Sequence, residues 1–164
     1  MKKIFLLMII SLLLLSSCSQ GSPQASGASE SDMWRVDLIS AERFDNLTAV
    51  MEAVQYDGDL SRTEQDIEPK DGYVFLLLNL SIEKIGTGKA SFSWSDAHIE
   101  DKNGNSFYRL ENDTFISNLK LPRLKGTDIV LGTETGFVCF EIPKDSGGLR
   151  FVSDEGNIII KINA

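Results

Sequence analysis

The segment Tyr73–Lys84 limits the possible folds more than any other part of the chain. Val74, Leu76, Leu78, Leu80 and Ile82 alternate toward one side. Tyr73, Phe75 and Leu77 alternate toward the other, followed by Asn79, Ser81 and Glu83. From Tyr73 to Leu78 apolar residues occupy every angular position of a helical wheel, so a period of 3.6 fails and a period of 2 stands. One face is apolar throughout and the second only at its start. That is the pattern of a central sandwich strand whose far end leaves the cover of its neighbours.

Other segments supply partners for it. Trp34–Leu38 and Ser91–Trp94 alternate apolar and polar residues, the period of half-buried strands. Ala97–Asp101 and Ser106–Leu110 flank Asn103-Gly104, a hairpin signal because that turn needs positive φ. Ile129–Leu131 reads as a short strand, and Gly136–Ile142 as another ended by Pro143, which cannot donate to a ladder. Leu149–Val152 and Asn157–Ile162 bracket Asp154-Glu155-Gly156 as a final hairpin. Several strands with turns between them predict an all-β sandwich or barrel. Leu47, Val50, Met51 and Val54 fit either an amphipathic helix capped by Asp45 or Asn46, or a strand.

The first residues have a different purpose. Lys2-Lys3 precedes the run Ile4–Leu15, of 12 residues with Ser11 the only polar member, and then Ser16-Ser17. A basic start, an apolar run and small residues before a cut site make a secretory signal over residues 1–17. Twelve residues rise about 18 Å as a helix against a hydrocarbon core of about 30 Å, too little for a stable span. Leu15-Ser16-Ser17-Cys18 resembles the bacterial lipobox. By that resemblance Cys18 takes a thioether-linked diacylglycerol, the peptide is cut before it, and the new amine is open to acylation. Two or three acyl chains anchor stably where one is marginal. Residues 19–32 hold no apolar residue larger than Ala or Pro, so 18–32 reads as a lipidated Cys and flexible tether, with a folded domain over 33–164. This places the protein on the extracytoplasmic face of a cell membrane. Ser19 permits outer-membrane sorting where the cell has an outer membrane.

The whole chain of 164 residues carries 24 acidic and 16 basic side chains, a net −8. Loss of Lys2 and Lys3 with the leader leaves 14 basic against 24 acidic, a mature charge of −10. Such a balance argues against nucleic acid as a partner, since that affinity comes from Lys and Arg on phosphates. One His and two Cys exclude a zinc site of four Cys/His ligands. With Cys18 lipidated, Cys139 has no intramolecular disulfide partner and reads as a buried small hydrophobe.

Four stretches carry a family resemblance: Asp71–Lys84, Ile99–Tyr108, Leu131–Gly136 and Val138–Lys144. In this order they resemble a family of bacterial secreted lipoproteins of unknown function. Its domain is an immunoglobulin-like sandwich related to a secreted mycobacterial immunoprotective antigen, and some members are labelled telomeric-repeat-binding-like. The resemblance spans about residues 34–162. It implies an immunoglobulin-like antiparallel β-sandwich of about seven to nine strands, and a strand at Leu47–Val54. The family often has Pro before a Gly-Glu turn, where this chain has Leu131-Gly132-Thr133-Glu134. No catalytic set comes with the resemblance, and the acidic charge does not suit DNA.

Candidate sites are few. Asp101–Asn105 departs from an EF-hand loop, because Gly104 is fourth rather than sixth and the twelfth residue is Asn112. The acidic run Asp57, Asp59, Glu64, Asp66, Glu68 and Asp71 is a weak candidate for a divalent cation or a basic partner, and reads first as a mobile solvated loop. His98 stands without a Gly-x-Ser-x-Gly elbow. Trp34, Tyr73, Trp94, Phe107 and Tyr108 are core candidates that could also form a platform for sugar or peptide. The expected function is therefore a lipid-anchored binding module for an envelope protein or ligand, without cofactor or catalysis. Its rivals are an envelope hydrolase acting on glycan or peptide, and a solute or divalent-metal carrier.

Overall fold

The computed structural model describes residues 27–54, 60–111, 113–124, 129–154 and 157–164. In chain order its elements are β1 (Gly27–Glu30), β2 (Trp34–Phe44), β3 (Leu47–Val54), β4 (Leu60–Ile67), β5 (Tyr73–Lys84), β6 (His98–Glu100), β7 (Ser106–Tyr108), α1 (Phe115–Asn118), β8 (Thr133–Pro143), β9 (Arg150–Ser153) and β10 (Ile158–Lys161). They form an antiparallel sheet β1-β2-β5-β8, a second ordered β10-β9-β6-β7, and a two-stranded ribbon β3-β4. The chain is an all-β sandwich, with ten strands among the described residues rather than seven to nine.

β5 is central because its two faces have different uses. Leu76, Leu78, Leu80 and Ile82 meet Trp34, Val36 and Leu38 of β2, Val138, Phe140 and Ile142 of β8, and Ile99, Phe151, Ile158 and Ile160 of the second sheet in one core. Burial of each such side chain stabilises by about 1.5–3 kcal/mol. Edge-to-face aromatic pairs order this core: Trp34–Phe92 at 5.7 Å, Phe92–Trp94 at 5.5 Å and Phe140–Phe151 at 6.5 Å between centroids. A bulge between Leu38 and Ser40 in the β2–β5 register restores parity, so Ala41 points inward again. On the opposite face of β5, Phe75 and Leu77 join Cys139, Leu47 and Ile116 in a second cluster. The ribbon base and α1 cover that patch. Asn79, Ser81 and Glu83 lie on the same face beyond it, which is why only the start of this face is apolar.

The open edges of the first sheet are covered. On β8, Leu110 N–H donates to Cys139 O at 3.0 Å, Leu124 N–H to Phe137 O at 2.9 Å, and Phe137 N–H to Pro122 O at 2.7 Å. A Cβ at Gly136 would stand 2.7 Å from Pro122 O, so this approach requires glycine. On β1, Ser29 Oγ accepts from Ile159 N–H at 3.2 Å, tying the two sheets together. Covered edges resist pairing with other chains.

Three expectations need correction. Residues 27–30, expected within the tether, form β1, which pairs with β2 through backbone bonds that require no apolar side chains. Arg35 also links Glu30 at 2.5 Å and Glu83 at 2.9 Å across three strands. The strand implied at Leu47–Val54 is present, in eight-pair register with Leu60–Ile67. The supposed loop 57–71 therefore contains β4. Its residues 62–66 are exposed, so no buried face imposes an alternating pattern. Ser91–Trp94 and Ile129–Leu131 form no strands but one bridge, Phe92–Ile129. Phe92 and Trp94 still point inward. The single turn α1 gave no sequence signal, being too short for periodicity.

Candidate functional site

The covered edge of β8 brings three charged residues together. Arg109 follows β7 and bridges Phe140, while Arg123 bridges Phe137 on the same strand. Asp113 lies in the turn before α1 and is fully buried. Its Oδ2 accepts from Arg109 Nε at 2.8 Å, and its Oδ1 from Arg123 Nε at 2.6 Å. Arg109 Nη2 donates to Leu124 O at 2.7 Å. The Arg109 guanidinium lies over the Trp94 ring at 4.5 Å, a cation–π contact that fixes its plane. Arg109 is 8% exposed and Arg123 24%. Two cations thus share one buried carboxylate.

Beside this network is a cleft of about 280 Å³ lined by Trp94, Ser95, Tyr108, Arg109, Leu110, Glu111 and Arg123. Tyr108 is 59% exposed. The Trp94 indole N–H is buried and has no acceptor among the described residues. Orphaned buried donors are uncommon in native proteins. A second cleft of about 460 Å³ lies between the ribbon base, α1 and the first sheet, lined among others by Ile67, Glu68, Phe75, Phe115 and Glu141. Lys70 pairs with Glu141 at 2.9 Å. The hydrogen bond and charge of Glu141 raise the Lys70 pKa.

The residues singled out by sequence are scattered. Cys18, Asp57 and Asp59 lie outside the described residues. Asp66 accepts from Thr48 Oγ1 at 2.8 Å across the ribbon, Glu64 stands opposite Val50, and Glu68 borders the second cleft and also, with Asp71, a depression before β5. No three His, Cys, Asp or Glu among the described residues are placed to hold a metal ion. Asp101 closes the β6–β7 turn: its Oδ1 accepts from the amides of Asn103 at 2.8 Å and Asn105 at 2.9 Å. The side-chain bond from Asn105 leads in lowering the Asp101 pKa. Gly104 takes φ +82° there. A carboxylate that accepts from N–H donors in this way is occupied as a turn lock, not a cation ligand.

His98 donates from Nδ1 to Asp96 O at 3.0 Å and stands 5.5 Å from the Tyr108 ring. Cys139 is fully buried. Burial, then the Asp113 and Glu141 charges, push its thiol pKa up. Of the aromatic candidates, Trp34 belongs to the core and Phe107 packs against it. Tyr73 lies under the Lys70 ammonium at 5.9 Å. Tyr73 also lines a depression with Glu68 and Asp71, and Trp94 and Tyr108 line the cleft beside Arg109. Sequence reasoning missed Arg109, Asp113 and Arg123. The i, i+4 spacing of Arg109 and Asp113 is visible, but their meeting with Arg123 depends on β8.

A family model described as a domain of unknown function (DUF4352) matches residues 41–159. Among solved structures, a conserved hypothetical protein from Bacillus anthracis is similar, at 12% identity and TM-score 0.51 over 84% of this chain and 92% of that one. A Bacillus subtilis protein named a “putative lipoprotein (ycdA)” is 13% identical with TM-score 0.48, over 87% of this chain and 39% of that one. A Clostridium difficile β-sandwich protein, described as uncharacterized, is 14% identical with TM-score 0.43, over 85% and 91%. Identities this low speak to the fold alone. No curated protein matches. No helix among the described residues is long and apolar enough to cross a membrane.

Proposed function

The chain belongs to the DUF4352 family, and from that premise we propose that it is a lipid-anchored, extracytoplasmic binding module of the bacterial cell envelope, without catalysis. The observation that carries this reading is Leu15-Ser16-Ser17-Cys18 in register behind a basic start and an apolar run. A thiol at the first mature position is the group that lipidation needs, and diacylation gives stable attachment. The polar groups of the domain support binding rather than turnover. Asp113 is held between two guanidiniums, His98 Nδ1 is engaged by a backbone carbonyl, and the Cys139 thiol is buried in its protonated form. Kinship with the secreted mycobacterial antigen is part of this reading and rests on the four motif stretches.

Metabolic labelling with palmitate, followed by fractionation, tests the anchor. The wild type is expected to carry label in the membrane fraction, and Cys18→Ala to lose it and leave that fraction or remain uncleaved. An unlabelled wild type refutes the anchor.

A further inference from the structure

We propose that the end of the first sheet carrying Ile85, Val130 and Leu131 seats against the surface of the bilayer that holds the Cys18 lipid. This rests on the lipid-anchored reading above and goes beyond it by fixing which end of the sandwich faces the membrane.

The first argument is where exposed apolar surface collects. Among the described residues six large apolar side chains are exposed, and three of them, Ile85 (38%), Val130 (54%) and Leu131 (78%), stand at one end of the sheet. Backbone bonds bring their segments together: Lys84 N–H donates to Gly132 O at 2.9 Å, and Ile85 N–H to Met33 O at 2.9 Å. The Lys84 ammonium donates to Ala90 O at 2.8 Å and to Val130 O at 3.1 Å, so the strand end and its flanking segments form one fixed tip. A lysine at such a place keeps its head in the polar layer while apolar neighbours enter the lipid. The opposite end is polar. Its depression is lined by Asp45, Glu68 and Asp71 beside Lys70 and Lys144, and charged groups of that kind stay in water. The net charge of −8 opposes anionic headgroups, so the seat is apolar insertion into a zwitterionic surface.

The second argument is where the tether attaches. Gly27, the start of β1, stands opposite Leu38, and Leu38 opposite Leu80. From that level Lys84 at the apolar end is four residues away, about 13 Å, and Tyr73 at the polar end seven, about 23 Å. Nine chain steps separate Cys18 from Gly27. A Ser/Gln/Gly-rich chain of that length has a root-mean-square span of about 16 Å. β1 runs toward the apolar end, so the tether has to double back, and its span covers the shorter distance and not the longer. Tethering also raises the local concentration of the patch at the lipid to about the millimolar range, so three side chains suffice where a free domain would stay in solution. In this orientation the ribbon base and the second cleft, toward the Tyr73 end, point away from the bilayer and toward partners.

The test uses the lipid-bearing full chain, its intact mass checked first, in phosphatidylcholine vesicles with and without a nitroxide on the acyl chains. Thr133→Cys or Asp145→Cys carries a thiol-linked fluorophore. Both positions are exposed, β8 sets them about 30 Å apart, and Cys139 is buried away from the dye. Nitroxide quenching is expected to be roughly threefold or more stronger at position 133 than at 145, because a quencher in the hydrocarbon core reaches only the tip. Leu131→Asp should bring quenching at 133 down to the level at 145 with an unchanged unfolding midpoint, while Leu131→Ile should keep it. Equal quenching at the two positions, stronger quenching at 145, or no effect of Leu131→Asp would each overturn the proposal. So would a concentration-dependent dimer in detergent that Leu131→Asp dissolves, without quenching in vesicles, which would give the patch to a second copy. A chain without lipid overturns the anchor and this orientation with it, whereas a lipidated chain with equal quenching overturns the orientation alone.

Discussion

Asp113→Asn should be among the most destabilising single substitutions in this protein. It preserves shape and removes the buried charge that Arg109 and Arg123 both face, at 2.8 Å and 2.6 Å. Removing one partner from a buried ion pair costs about 3–5 kcal/mol, because the remaining charge stays desolvated. Arg123, at 24% exposure, can turn toward water, whereas Arg109, at 8%, cannot. The loss therefore falls at the low end, about 3 kcal/mol. With a urea dependence of about 2 kcal/mol per M, the midpoint falls by about 1.5 M, and Tm falls by about 10 °C. Urea unfolding at neutral pH followed by tryptophan fluorescence measures this directly. The triple variant Asp113→Leu, Arg109→Met, Arg123→Met should recover most of the loss, since apolar replacement of a whole buried charge network is close to neutral. A midpoint within about 0.3 M of wild type for Asp113→Asn, or a triple variant no more stable than the single one, would refute the reasoning.

Two further outcomes follow from the same geometry. Cys139 is buried and its thiol pKa is raised by burial first, so a disulfide reagent at pH 7–8 should modify it only at the rate of unfolding; immediate labelling of the native domain would contradict this. The Asp101 pKa is lowered by the Asn105 side chain first. Its folded carboxyl therefore holds its proton less tightly than the unfolded one. That contribution is whole above the unfolded value, about 3.9, and disappears as pH falls through the lowered folded value. The stability gap between wild type and Asp101→Ala should accordingly narrow in acid, and a pH-independent gap in calorimetric scans would argue against it.

What could be read from sequence depended on whether a residue's neighbour was local. The bounds of β5 coincide with the alternating run Tyr73–Lys84, because each face of that strand meets a different environment. Pro143 ends β8 as its missing donor requires. Trp34–Leu38 was legible, but β2 continues to Phe44, where a bulge breaks the simple alternation. β4 was illegible because its exposed residues 62–66 leave no apolar stripe to see, and β1 because backbone pairing has no side-chain signature. The cleft was hidden for a third reason. Arg109 and Asp113 stand four residues apart, but Arg123 joins them only through the bridges that Arg109 and Arg123 make to β8, a relation between segments that no short window of sequence contains. Of the aromatic candidates, Trp94 and Tyr108 line the cleft, while Trp34 proved to be core.

The central claim is that this sandwich works from a lipid anchor at Cys18. The most direct measurement is the intact mass of the protein extracted from membranes of its own host. The account predicts a chain beginning at Cys18 whose mass exceeds the unmodified 18–164 polypeptide by a diacylglyceryl group, with or without a further N-acyl chain. A polypeptide cut elsewhere, or one starting at Cys18 with no added mass, would contradict it.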